Sequence, residues 1–208
     1  MTRNGRSDAE LLKLVPRPDA VAALYERHVD SVFRFAVRRC RTPEDVADLV
    51  STVFVELYSA AASYDERRGD ARVWLLGIAS RCLADQQRLA YRHANTVGRL
   101  TRAPEFEGAE YDRVEAMIDA AQGAPALQRA IAERLSAAER ELLLLVAHDG
   151  LTVAQAARAL GLTPVAGRMR LARARRKLHA VIDPNPLPPL AREAQTDCAA
   201  VRGEANDR

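Results

Sequence analysis

The sequence predicts an all-α fold, two small helical domains joined by a flexible linker, from three observations on its 208 residues. Apolar side chains recur at three- and four-residue steps in two separate stretches, the spacing that lines one face of a helix. Aromatics make up only 5 % and Gly and Pro number ten each, while Ala, Leu, Arg and Glu are abundant, a balance that favours helices over sandwiches or barrels. Acid and base are also segregated along the chain. With 48 % apolar and 28 % charged residues, the chain can bury a core and is not disordered throughout.

Residues 1–18 are polar and end in Pro16-Arg17-Pro18, which blocks helix propagation, so they read as a flexible N-terminal arm. The first unit, 19–93, opens with Val21, Leu24, Tyr25, His28, Val29, Val32, Phe33, Ala36 and Val37 on one helical face. Thr42-Pro43-Glu44-Asp45 then starts a second helix, with Thr42 as N-cap, Pro43 at the first position and Asp45 placed to close a capping box. Its stripe is Val46, Leu49, Val50, Val53, Phe54, Leu57 and Tyr58. A polar loop from Ser63 to Arg72 leads into a third helix, about 71 to 92, apolar at Val73, Trp74, Leu76, Ile78, Ala79, Cys82 and Leu83. Residues 94–125 form an acidic linker with one short helix around 111 to 121. The second helical unit spans 126–182. Residues 183–208, with Pro184, Pro186, Pro188 and Pro189, read as a disordered tail.

The charge total says little: 31 basic against 28 acidic residues give +3, and all but two of the basic residues are Arg. Position says more. Arg158, Arg168, Arg170, Arg173, Arg175, Arg176 and Lys177 follow one another without a single acid between them. Thr152 with Gln155 caps one short helix, Gly161 ends it, and Thr163-Pro164 opens the next. That is a helix-turn-helix, whose second helix must turn an apolar face to the first and a polar or cationic face to a DNA groove. Spacing sorts the two faces. Gly167, Leu171, Ala174 and Leu178 turn inward; Arg168, Met169, Ala172 and Arg173 turn out, with Arg170, Arg175, Arg176 and Lys177 flanking them for phosphates.

Other chemistries find little support. Cys40, Cys82 and Cys198 are widely spaced with no C-x-x-C, so neither a disulfide framework nor a zinc site is expected. His28, His93, His148 and His179 are scattered, and no nucleophile triad, metal-ligand spacing or phosphate loop occurs. No enzyme activity, cofactor or metal is expected. The N-terminus lacks an apolar signal segment, and no run approaches 18 apolar residues, so a cytoplasmic protein without membrane insertion is expected.

Two sets of motifs, in order, resemble a known family. Leu135-Ser136-Ala137-Ala138-Glu139-Arg140-Glu141-Leu142, Asp149-Gly150-Leu151-Thr152, Leu160-Gly161 and Arg170-Leu171-Ala172-Arg173-Ala174-Arg175 resemble region 4 of bacterial RNA polymerase sigma factors of the extracytoplasmic-function (ECF) group. Leu24-Tyr25-Glu26-Arg27-His28, Pro43-Glu44-Asp45, Asp48-Leu49-Val50, Val53-Phe54 and Trp74-Leu75-Leu76-Gly77-Ile78-Ala79 resemble region 2.

The resemblance implies a promoter-specificity subunit with core RNA polymerase and promoter DNA as partners, and it leaves an anti-sigma factor open. Region 2 implies core polymerase docking through Asp45, Asp48, Leu49, Val53 and Phe54. It also implies reading of a melted minus-ten element near the loop Tyr64 to Arg72, with Arg67, Arg68, Arg72, Arg81, Asp85 and Arg88 at the DNA. Region 4 implies minus-thirty-five recognition by Arg168, Met169, Ala172 and Arg173. One departure stands out: Val165-Ala166-Gly167 replaces the family's usual Gly-Thr-Val, and a Gly inside a helix costs roughly 1 kcal/mol against Ala. Two other readings compete: a sigma-like decoy that binds an anti-sigma factor without recognising promoters, and a free-standing helix-turn-helix regulator.

Overall fold

The structure is a computed structural model and describes residues 5–94, 113–118 and 125–182. Among them the regular elements are helices: α1 Asp8–Lys13, α2 Pro18–Val37, α3 Pro43–Ala60, α4 Ala71–Ala94, α5 113–118, α6 Pro125–Arg134, α7 Ala137–Ala147, α8 Val153–Ala159 and α9 Pro164–Ile182. Two 3₁₀ turns, Ala61–Ser63 and Glu66–Arg68, link α3 to α4.

The N-terminal arm is a correction. Ser7 and Glu10 form a capping box that starts α1, and Leu11 and Leu12 are buried in the core. Burying two leucines contributes roughly 1.5 to 3 kcal/mol each, enough to order a short helix that its length alone would leave unstable. The Asp8 carboxylate fixes α1 to α2, with Arg27 Nη1 at 2.6 Å and His28 Nε2 at 2.8 Å. Burial raises the Asp8 pKa, but the hydrogen bonds from Arg27 and His28 outweigh it and hold the carboxyl below its ordinary value.

Helices α2, α3 and α4 pack on one another as the stripes require. Leu24, Val32, Ala36, Val46, Leu49, Val53, Leu57, Leu76, Ile78 and Ala79 are buried together. The α2 stripe is rotated slightly from the expected one: Phe35 is fully buried, whereas Tyr25 lies half exposed with its ring 4.7 Å from Phe54. At α3 the Thr42 hydroxyl accepts the Asp45 N–H, without the reciprocal bond of a capping box. The segment Pro43–Ser63 has the length and mean hydropathy (1.3) of a membrane span, but Val46, Leu49, Val53, Phe54 and Leu57 place its apolar face in the bundle.

The second unit holds the helix-turn-helix. Thr152 and Gln155 cap α8 reciprocally, Gly161 turns the chain at φ 69°, and Leu162 N–H donates to Ala157 C=O at 2.8 Å. Gly167 is buried against α8, where an added Cβ would lie 2.6 Å from the Ala157 Cβ. The departure from the family's usual residues is therefore a packing requirement: glycine lets α9 approach α8 closely. Leu135, Ala174 and Leu178 form a small cluster with Ile131 and Leu143.

The larger core runs through both units. Leu142, Leu145, Leu151, Ala156 and Leu171 belong to the same cluster as the α2–α4 residues, and so do Val114 and Ile118 of α5, the helix expected within the linker. The rest of that linker (95–112 and 119–124) and the expected tail (183–208) lie outside the described residues.

Candidate nucleic-acid interface

Helix α9 carries an exposed cationic face. Arg168, Met169, Ala172 and Arg173 are exposed, Met169 to 60 %, while Gly167, Leu171, Ala174 and Leu178 on the opposite side are buried. The i, i+4, i+7 spacing thus separates the faces as the sequence requires. Arg175 and Arg176 are exposed and Arg170 half-buried; none of the α9 arginines is ion-paired with a described residue.

Lys177 is a correction. Its ammonium donates to both Glu139 oxygens, at 2.9 and 2.7 Å, so it ties α9 to α7 and does not stand ready for a phosphate. Glu139 also closes the capping box of α7 with Ser136. The Lys177 hydrogen bond, then the Ser136 backbone, hold the Glu139 carboxyl down at about 2.

The loop before α4 is ordered by local bonds. The Asp65 carboxylate accepts the Arg67 N–H, the Tyr64 hydroxyl donates to Gly69 C=O at 3.2 Å, and Asp70 accepts the Val73 N–H at the start of α4. The Tyr64 ring meets the half-buried Trp74 edge-on, centroids 5.4 Å apart. Arg67, Arg68, Arg81, Asp85 and Arg88 are exposed, with an Asp85–Arg88 ion pair at 2.9 Å. Both side chains of that pair are largely in water, so it is worth only a few tenths of a kcal/mol. Arg81, Asp85 and Arg88 line a groove that continues over Thr52, Glu56 and Cys82 between α3 and α4.

Arg72 is not free for DNA in this arrangement. Its Nε donates to Ser31 Oγ at 2.8 Å and its Nη2 to the Asp149 carbonyl. The two units meet here, through residues that sequence reasoning did not single out. The Arg39 side chain, 2 % exposed, lies 3.7 Å over the Phe35 ring and donates to Glu141 (3.1 Å) and Asp149 (2.7 Å). Arg38 adds a bond to Asp149 at 3.2 Å, and Ser80 Oγ donates to Glu141 at 2.9 Å. No local pattern marks these pairs, because their partners are separated by 61 to 111 positions.

On α3, Leu49, Val53 and Phe54 are interior, which corrects their place on a docking surface. Each faces α2 or α4 because the apolar stripe of α3 is needed to close the bundle. Asp45 and Asp48 are exposed, and the outward row of Asp48, Val55 and Tyr58 holds two uncovered apolar side chains, Val55 at 67 % and Tyr58 at 50 %.

Cys40 and Cys82 are buried free thiols. Burial pushes Cys40 up to about 12 and raises Cys82, so neither is a nucleophile at neutral pH. Among the described residues no cluster of three His, Cys, Asp or Glu side chains could hold a metal ion.

The sequence matches Sigma-70 region 2 over residues 24–93 and Sigma-70, region 4 over residues 126–178. It is 32 % identical over 180 residues to the ECF RNA polymerase sigma factor SigM of Mycobacterium tuberculosis, covering 85 % of each sequence. The chain is an ECF RNA polymerase sigma factor. It is also 29 % identical over 160 residues to the ECF sigma factor BldN of Streptomyces coelicolor, spanning 74 % of this sigma factor but only 58 % of BldN. Among solved structures it is similar to CnrH in complex with the cytosolic domain of CnrY, with a TM-score of 0.54 at 27 % identity over 87 % of this chain and all of that one. The fold is shared with RpoE of Bartonella quintana, solved with the anti-sigma factor NepR, at a TM-score of 0.54 and 19 % identity over 79 % of this chain and 98 % of that one.

Proposed function

We propose that this sigma factor acts as a non-catalytic, cytoplasmic promoter-specificity subunit, with duplex recognition assigned to one face of α9. The observation that carries the assignment is the exposed Arg168, Met169, Ala172, Arg173 face, held rigidly against α8 by the Gly167–Ala157 approach. Arginine reads guanine edges through two parallel hydrogen bonds, and Met169 and Ala172 offer apolar surface to thymine methyl groups. Arg170, Arg175 and Arg176 serve the flanking phosphates, a contact that fixes register and makes affinity fall with salt.

Arg67 and Arg68 on the loop, with Arg81, Asp85 and Arg88 on α4, are the residues assigned to the melted minus-ten strand. The Asp85–Arg88 pair orients one cation of that set. Core polymerase docks on the outer face of α3, where Asp45 and Asp48 supply charge and Val55 and Tyr58 supply the apolar contact. Exposed apolar side chains rimmed by polar ones are the usual mark of a protein interface. An anti-sigma factor is a further partner, of the same kind as NepR in the RpoE complex.

Run-off transcription from a genomic fragment library tests the reading. Purified bacterial core polymerase with this chain is expected to give discrete start sites absent from core alone. Core binding without any new start would place the chain with sigma-like decoys.

A further inference from the structure

The outward face of α9 begins one turn before the residues assigned to duplex recognition above. Val165 stands in the first turn and is 56 % exposed, close to the 60 % of Met169 one turn on. At about 100° per residue, Val165, Met169 and Ala172 fall within roughly 50° of the direction opposite the buried Gly167, Leu171, Ala174 and Leu178. Over residues 165–172 the centre of this face is therefore apolar, and exposed arginines flank it, Arg168 on one side and Arg173 on the other.

Neither helix stability nor packing calls for valine at that position. A β-branched side chain is a weaker helix former than alanine, glutamate or arginine, and Val165 belongs to neither hydrophobic cluster of the described residues. A groove-facing role does call for it. The first residues of a recognition helix are the ones that reach base edges, and the apolar feature of the major groove is the 5-methyl group of thymine. A stiff, short side chain also loses little conformational freedom on meeting such a group. The family's usual Gly at this position has no side chain to offer, so the contact is this chain's own.

Helix geometry then sets a spacing. Four residues advance the helix by about 6 Å, close to two base-pair steps of roughly 3.4 Å. Resting on the sigma reading above, we infer that Val165 is a specificity-determining residue. With Met169 it selects a minus-thirty-five element carrying two thymine methyl groups about two base pairs apart, one beneath each side chain.

The promoters found by run-off transcription supply the duplexes for the test. Thymines of the minus-thirty-five element are replaced one at a time by deoxyuridine, which removes the methyl group and keeps every hydrogen-bonding atom. In competition binding, holoenzyme with the unsubstituted chain is expected to lose about four-fold in affinity at each of two positions about two pairs apart. Val165→Ala raises helix propensity at an exposed site, so the fold is expected to be kept. Its holoenzyme is expected to bind the unmodified duplex about four-fold less well, to ignore deoxyuridine at one of the two positions and to respond at the other. Met169→Ala is expected to show the reverse pattern. A flat response to deoxyuridine across the element would overturn the role of Val165 while leaving the sigma reading intact. So would a Val165→Ala holoenzyme that responds at both positions, or promoters whose elements lack thymines at that spacing. Absence of any start site would overturn the sigma reading itself, and the role of Val165 with it.

Discussion

The arginines of α9 and those at the end of α2 are the same residue put to opposite uses. Arg168, Arg173, Arg175 and Arg176 stand in solvent without a described ion pair, whereas Arg39 is sealed between two carboxylates and an aromatic ring. What separates them is the other face of each helix. Helix α9 buries Gly167 against α8 and Ala174 and Leu178 beside Leu135, so its arginines are left free to meet a polyanion. The end of α2 lies where the two units meet, so its guanidinium groups must be satisfied from within the chain or left buried at high cost. Charge in the sequence states how many cations exist; packing decides which remain available.

Removing one free cation should produce the largest effect. Arg173→Ala is expected to lower promoter-specific initiation by about ten-fold or more, from a lost base contact worth roughly 1 to 3 kcal/mol, with core binding intact. Electrophoretic shift and a core pull-down, run together, check it; equal loss in both would take Arg173 off the DNA. Gly167→Ala should sharpen the comparison from the buried side. The new methyl group overlaps Ala157, so overpacking costing about 1 to 3 kcal/mol opposes a gain in helix propensity of roughly 1 kcal/mol. A net fall in thermal stability is expected, restored by adding Ala157→Gly.

The smallest effect at neutral pH comes from the one α9 cation that is paired. Glu139 titrates at about 2 in the folded chain against an ordinary 4.5, so its contribution is complete above pH 4.5 and is lost as pH falls from there towards 2. Glu139→Gln should therefore flatten the acid limb of the stability profile, measured by denaturant titration between pH 5 and pH 2. An unchanged limb would show that the Lys177 pair contributes nothing, the common result for ion pairs with one exposed partner.

Much of this was legible before any coordinates. The cap at Thr152, the Gly161 turn and the two faces of α9 are all local, encoded within four to eleven residues, and they stand as read; Thr42 caps α3 as expected, but Asp45 does not close the box. Helix α1 was hidden by Pro16 and Pro18, although it ends at Lys13, ahead of both, and Pro18 opens α2; the capping box of Ser7 and Glu10, followed by Leu11 and Leu12, carried the signal for a helix before them. Leu49, Val53 and Phe54 show a different limit: a stripe identifies which residues are apolar and share a face, not whether that face meets its own bundle or a partner. The Arg39 contacts were beyond reach, since they depend on Glu141 and Asp149, 102 and 110 positions away, which no periodicity links to Arg39.

Trp74 gives the molecule an optical reporter where one is most useful. It is the single tryptophan, it sits at the start of α4, and its nearest described ring is Tyr64, whose hydroxyl clasps Gly69 across the loop. Any event that rearranges that loop, whether a captured base or the departure of Arg72 from Asp149, changes the surroundings of one indole against an otherwise silent background. Emission from this one side chain can thus follow the loop in unlabelled protein, in real time.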